Sequence, residues 1–248
     1  MSSAFLWGLI ATSSLVMGGL LASWWTPGKR TLGAILAFGA GVLISAVAYE
    51  LVFEAVHLAK FTGFPTMGFF AGAFTFFLSD RLIGKMSESQ HDALESTHQS
   101  NLVVPLVLAI ILDGIPESVV IGLGILKGGS VSLAMLVAVF ISNLPEAIAA
   151  TTGMRSNGWS RTKTLLLWLV IAVFCAAASA AGYGLLGGLS PHWLSVVQAF
   201  AGGAILMMLA NTMIPEAYEH AGKLAGVFLV VGFAVCVWVI VLERAGTG

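Results

Sequence analysis

Residues 102–126 read LVVPLVLAIILDGIPESVVIGLGIL. A helix needs about 20 mainly apolar residues to cross a bilayer, and this stretch is long enough. Its only charged side chains, Asp113 and Glu117, are both acidic and stand near its centre. An ionised carboxylate at mid-bilayer costs on the order of 3 kcal/mol, so two of them call for a compensating partner. The two are i and i+4, hence on one helical face. One segment therefore predicts both a membrane helix and a polar site inside it.

The composition extends that reading to the whole chain. Of 248 residues, 58% are hydrophobic and 9% are Asp, Glu, Lys or Arg, against about 25% charged in an average soluble domain. Too few polar residues remain to cover a water-facing surface, which excludes soluble enzymes and disordered proteins. With 11 basic and 12 acidic residues there is no basic patch, so nucleic acid is not an expected partner. The expected fold class is all-α: a polytopic membrane protein with eight transmembrane helices in a single domain, residues 1–248. The expected spans are 5–25, 32–58, 61–78, 102–126, 130–153, 164–186, 193–217 and 224–242. The third is short. Residues 1–25 have no Lys or Arg before their apolar stretch and exceed a signal-peptide core, so they are expected to form a retained first span.

Only residues 85–101, KMSESQHDALESTHQSN, make a long polar connection. They are expected to be a cytoplasmic loop carrying His91, His98 and several acids. With the N-terminus outside, eight basic residues fall in cytoplasmic connections (Lys29, Arg30, Arg81, Lys85, Arg155, Arg161, Lys163 and Lys223). Three fall outside (Lys60, Lys127 and Arg244). The positive-inside rule then puts both termini outside the cytoplasm of a cell-membrane, multi-pass protein. Cys175 and Cys236 lie in apolar runs without a CxxC spacing and read as small buried hydrophobes. The 29 glycines are spread through the spans, as small-residue helix packing requires. A homodimer is compatible with such a bundle, though no single GxxxG face marks an interface.

Seven of the acids, Glu50, Glu54, Asp113, Glu117, Glu146, Glu216 and Glu219, fall within or beside spans. In the fifth span Ser142, Asn143 and Glu146 stand near the centre. A short connection makes the fourth and fifth spans antiparallel neighbours, so their polar patches are expected at one depth, with three carboxylates and an amide converging. No Lys or Arg is expected there. The acids are then either protonated or hold a cation, and oxygen donors from Asp, Glu and Asn suit divalent metals. Three of the seven prolines precede a glutamate directly: Pro116–Glu117, Pro145–Glu146 and Pro215–Glu216. A helix-interior proline frees the carbonyl four residues earlier, and such broken backbone at membrane depth is tolerated where it lines a cavity. Glu50, Glu54 and His57 share a face toward the outer end of the second span. Glu216, Glu219 and His220 lie toward the cytoplasmic end of the seventh.

These residues resemble the ZIP metal-ion transporters over nearly the whole chain, as a divergent bacterial-type member lacking the central histidines. The fourth span of that family usually reads His-Asn-x-Pro-Glu-Gly. Here Asp113 stands at the His, Gly114 at the Asn and Ser118 at the Gly, while Pro116 and Glu117 match. In the fifth span Ser142 stands at the usual His, and Pro145 and Glu146 match. MIPEAYEH, residues 213–220, resembles the Pro-Glu segment of the seventh span, and LVFEAVH, residues 51–57, is a looser match to the second. The resemblance implies a ZIP-like helix bundle that imports Zn2+. It implies that metal passes Glu50 and Glu54, is held by Asp113, Glu117, Asn143 and Glu146, and leaves past Glu216, Glu219 and His220. The all-oxygen central set also admits Mn2+ or Fe2+. The metal is transported substrate, lipid and metal are the partners, and no enzyme activity is expected. No P-loop is present to couple ATP. A proton or monovalent-cation pathway through the same acids stays open, as does a ZIP-like membrane protein without transport activity.

Overall fold

A computed structural model of the chain describes the backbone of residues 1–25, 27–60, 62–94, 103–128 and 132–246, with side chains throughout these except at 86–94, 103–107 and 127–128. The described residues are helical and contain no strand. The helices are α1 (Ser2–Trp24), α2 (Lys29–Leu58), α3 (Phe64–Leu94), α4 (Val103–Gly128), α5 (Leu133–Ser156), α6 (Arg161–Leu186), α7 (Pro191–Ala221) and α8 (Leu224–Gly246). Seven helices are long and apolar enough to cross a membrane, and α3 is not among them. The chain is thus an all-helical polytopic bundle. Its expected third span falls in α3, where the apolar run from Phe64 ends before Asp80 and Arg81.

Residues 85–94, expected as the start of a loop, instead continue α3 to Leu94. Lys85, Met86, Glu88, Gln90, Ala93 and Leu94 are good helix formers, and once an apolar helix feeds into them, extension is favoured over a break. The side chains of His91, Glu88 and Asp92, and the residues Glu95 and His98, lie outside the described residues.

Local chemistry sets the helix limits. Ser132 and Ser160 each cap a helix start, accepting from the backbone N–H of Met135 and Lys163, both at 3.3 Å. Capping of this kind satisfies an N–H with no helical partner. Pro191 opens α7, where a missing N–H is harmless. The turns after α5 and α7 use Gly158 (φ 84) and Gly222 (φ 60), conformations that disfavour a side chain.

Two helices do not run evenly. The π-helical segment Val47–Phe53 interrupts α2, and another, Leu209–Met213, interrupts α7. A π turn widens the backbone and leaves carbonyls without their ordinary partners, and such turns occur often at functional sites. In α7 the cause is local: Pro215 cannot donate to the carbonyl of Asn211, which lies inside the π segment. In α2 the irregularity is met from outside, where the Gln198 side chain donates to the Glu50 carbonyl at 2.7 Å.

Helix pairing follows the small residues. The closest pairs are α3 with α7 and α2 with α8, followed by α1 with α6 and α5, and α4 with α6. At the α3–α7 crossing, a Cβ on Gly72 would collide with the Phe200 carbonyl and one on Gly203 with the Phe69 carbonyl. The α2–α8 crossing repeats this with Gly41 against Leu229 and Gly232 against Phe38. Backbones approach this closely only without side chains, which is how helices associate where lipid removes the hydrophobic drive. The larger core cluster joins Leu36, Leu43, Leu51, Met135, Ile205 and Leu209 from α2, α5 and α7. A smaller one joins Leu15, Met154, Trp168 and Ile171 from α1, α5 and α6. There the Trp168 Nε1–H donates to Thr151 Oγ1 at 2.8 Å, so the largest buried side chain brings no unmet polar atom with it.

A valine at Gly203 has nowhere to go, and overpacking of this kind costs about 1–3 kcal/mol. G203V should therefore lower the thermal midpoint of the detergent-solubilised protein. Gly226→Ala in α8, where no atom lies within 4 Å of the added Cβ, should leave the midpoint unchanged. Equal midpoints for wild type and G203V would refute the close α3–α7 crossing.

Candidate metal pathway

The polar residues of α4 and α5 do come together. Glu117 is 2% exposed and the side-chain amide of Asn143 lies within interaction range of its carboxylate. Its Oε2 has no hydrogen-bond partner among the described residues. Asn143 is itself buried, and so is Ser142, whose hydroxyl is used within its own helix, donating to the Val139 carbonyl at 3.1 Å. Asn143 therefore faces the carboxylates and Ser142 does not.

On the side of Glu117 and Asn143 toward the C-terminal end of α5 lies a cavity of about 330 Å³. Asp113 of α4, Glu146 of α5 and Glu216 of α7 all line it, with Thr212 and Met213 of the α7 π segment and Leu36 of α2. Among the described residues, no Lys, Arg or His lines it. Glu146 lies within electrostatic range of Asp113, Glu117 and Glu216, so the four acids form one connected field with no base inside it. Helix breaks position them: Pro116 and Pro145 lie inside α4 and α5, and Pro215 follows the π segment of α7. Glycine brings α2 against them, since a Cβ on Gly39 would lie 3.2 Å from both the Ser142 Cα and the Met213 Cε.

The acids are neighbours short of a closed shell. Among the described residues, no three His, Cys, Asp or Glu side chains are grouped so as to hold one metal ion.

The two flanking clusters differ from each other. At the C-terminal end of α7, His220 lies near Glu216, and its buried Nδ1 has no partner among the described residues. The backbone of α2 passes closely, for a Cβ on Gly33 would lie 2.6 Å from the His220 Cβ. Glu219 is exposed and does not line the cavity. In the other cluster, Glu50 and Glu54 are joined to Arg244 of α8, at 3.5 and 3.4 Å. Neither belongs to the cavity. His57 makes an edge contact with the Phe53 ring, centroids 4.5 Å apart. The neighbouring Glu243 accepts from the backbone N–H of Leu133 and Ala134, at 2.8 and 3.1 Å. A carboxylate there satisfies unpaired N–H groups and the positive end of the helix dipole.

Three residues outside the expected ligand set thus stand with these polar clusters. Arg244, read as a loop charge, is the counter-ion of Glu50 and Glu54. Asp80, read as a solvated helix end, is half-buried and within electrostatic range of Asp113. Thr212 lines the cavity beside Glu216. Only Thr212 had a local signal, its place on the same polar stripe as Glu216. The other two act between different helices, Arg244 across nearly the whole chain and Asp80 between the consecutive α3 and α4.

No model of a known protein family matches the chain. The chain is similar to the zinc transporter ZIPB of Bordetella bronchiseptica, at 24% identity over 215 residues that cover 83% of this chain and 69% of that protein.

Proposed function

We propose that the chain is a divalent metal-ion transporter of the ZIP type, importing Zn2+, with Mn2+ or Fe2+ as further candidate ions. One observation carries this reading above the others. Asp113, Glu146 and Glu216 line a single cavity, Glu117 is buried beside them, and no basic side chain shares the space. A cation is the partner that such a set of acids lacks. The similarity to a zinc transporter over most of the chain supports the same reading.

In this mechanism the ion enters at Glu50 and Glu54, where it competes with the Arg244 guanidinium. It is then held by Asp113, Glu117, Asn143 and Glu146, and leaves past Glu216, His220 and Glu219. The chain crosses the membrane eight times, α3 included, with both termini outside the cytoplasm. Alternating access comes from one group of helices moving against the other around the carboxylates, which also completes the ligand shell. Carboxylates that release the ion take up protons, which ties transport to pH. The driving force is the ion gradient or a coupled ion. The chain acts as a transporter and catalyses no reaction. Lipid and metal are its partners, and a homodimer is compatible with the bundle.

The unclosed ligand set favours one competing reading, a proton or monovalent-cation pathway through the same acids. Divalent metals would then fail to compete with the conducted ion.

In vesicles loaded with zinc outside, Glu117→Ala and Glu146→Ala should each reduce uptake by about 10- to 100-fold, the usual scale for loss of a metal-site interaction. Glu219→Ala should cost much less, because Glu219 is exposed. Undiminished uptake in both of the first two variants, at equal protein levels, would end the assignment. Topology is tested separately by single cysteines, since Cys175 and Cys236 are buried and silent to membrane-impermeant reagents. Cysteines at Lys60 and Arg244 should be labelled from outside, and those at Lys85 and Arg161 only from the cytoplasm. Labelling of Lys60→Cys and Lys85→Cys from the same face would remove α3 as a span.

A further inference from the structure

The α4–α6 interface contains a thiol packed against the helix that carries Glu117. Gly114, Ser118 and Gly122 repeat every four residues along α4, and Cys175, Ser179 and Gly182 make the facing stripe on α6. The helices meet closely there: a Cβ on Gly122 would collide with the Ser179 carbonyl, and one on Gly114 would lie 2.8 Å from the Cys175 Sγ. The glycine at 114 therefore leaves the space that the thiol fills. Cys175 is 1% exposed, and Glu117 and Ser118 stand three and four residues on from Gly114, on the α4 face that its Sγ packs against.

Packing alone does not account for this cluster. Glu117 Oε2 and Ser118 Oγ are both buried without hydrogen-bond partners among the described residues, and Ser118 is fully enclosed. A buried polar atom left unmet costs about 1–3 kcal/mol, so the unmet carboxylate oxygen of Glu117, one helical turn from the glycine that the thiol packs on, points to a missing occupant. Cys236, the other cysteine, is the useful contrast. It lies near Ser45, whose Oγ is likewise without a partner among the described residues, and near Glu50, but Glu50 already has a cation in Arg244. Glu117 has none.

Resting on the reading of the chain as a metal transporter, we propose that Cys175 is a specificity-determining ligand, whose sulfur joins Glu117 on the transported ion and favours thiophilic ions such as cadmium and zinc over manganese. The thiol gives its proton to water as the metal–sulfur bond forms, so nothing is oxidised or reduced. Imidazole and thiolate are the donors that select zinc over harder ions. A sulfur donor from α6 would restore to an otherwise all-oxygen site the preference that it lacks.

The test uses the full-length protein in detergent, titrated with Cd2+, with bound metal measured by equilibrium dialysis and cadmium–thiolate bonding by its ultraviolet charge-transfer band. The band should appear in wild type and in C236S. It should be absent in C175S and in C175A, and weakened in E117Q, where the thiol is intact. In competition with Mn2+, C175S should lose about tenfold of the preference for Cd2+, equivalent to about 1.4 kcal/mol. Bound cadmium without the band in wild type, or a band that survives in C175S, overturns the proposal and leaves the transporter reading standing. Absence of any bound divalent ion in wild type overturns both. The wild-type and C236S spectra decide the outcome even if the Cys175 variants fail to fold.

Discussion

A carboxylate enclosed by apolar helices must take a proton, meet a base or hold a cation, because a bare buried charge is far too unfavourable to persist. The middle of this bundle offers no base. Glu117 has the Asn143 amide within range and one oxygen unmet, and Asp113, Glu146 and Glu216 share a cavity that no described Lys, Arg or His lines. The rest of the architecture is arranged around that deficit. Four different helices must approach within reach of one another, and in a bilayer this is done by removing side chains at the crossings.

The helices that carry the acids are also the ones whose hydrogen-bond ladders are broken. Prolines stand inside α4 and α5, and π segments interrupt α2 and α7. Each break sits within a few residues of a pathway carboxylate. Regular helix is the cheapest way to satisfy backbone groups in lipid, so these departures are concentrated where polar side chains and a cavity supply other partners. The Gln198 amide on the Glu50 carbonyl is one such partner within the protein.

Much of this was readable from the chain because the signals are local. The apolar runs mark the helices, i and i+4 spacing puts Asp113 beside Glu117, and the Pro-Glu pairs mark the breaks. What was hidden depends on distance in sequence. The extension of α3 to Leu94 replaced an expected loop, since the polar residues of 85–94 are compatible with either state and only the helix preceding them decides. Cys175 reads as one more small apolar residue until α6 is laid against Ser118. The pairing of Arg244 with Glu50 and Glu54 joins residues nearly two hundred positions apart, and no periodicity reports that.

The last turn of α8 has an effect that neither of its charged residues would have alone. Glu243 grips the first backbone amides of α5, while its neighbour Arg244 grips α2. Adjacent residues thus act as a two-pronged rivet through separate helices. A sliding or tilting of α5 against α2 must pull one prong or the other, so any rearrangement deep in the bundle is mechanically answerable to a fastening at its rim.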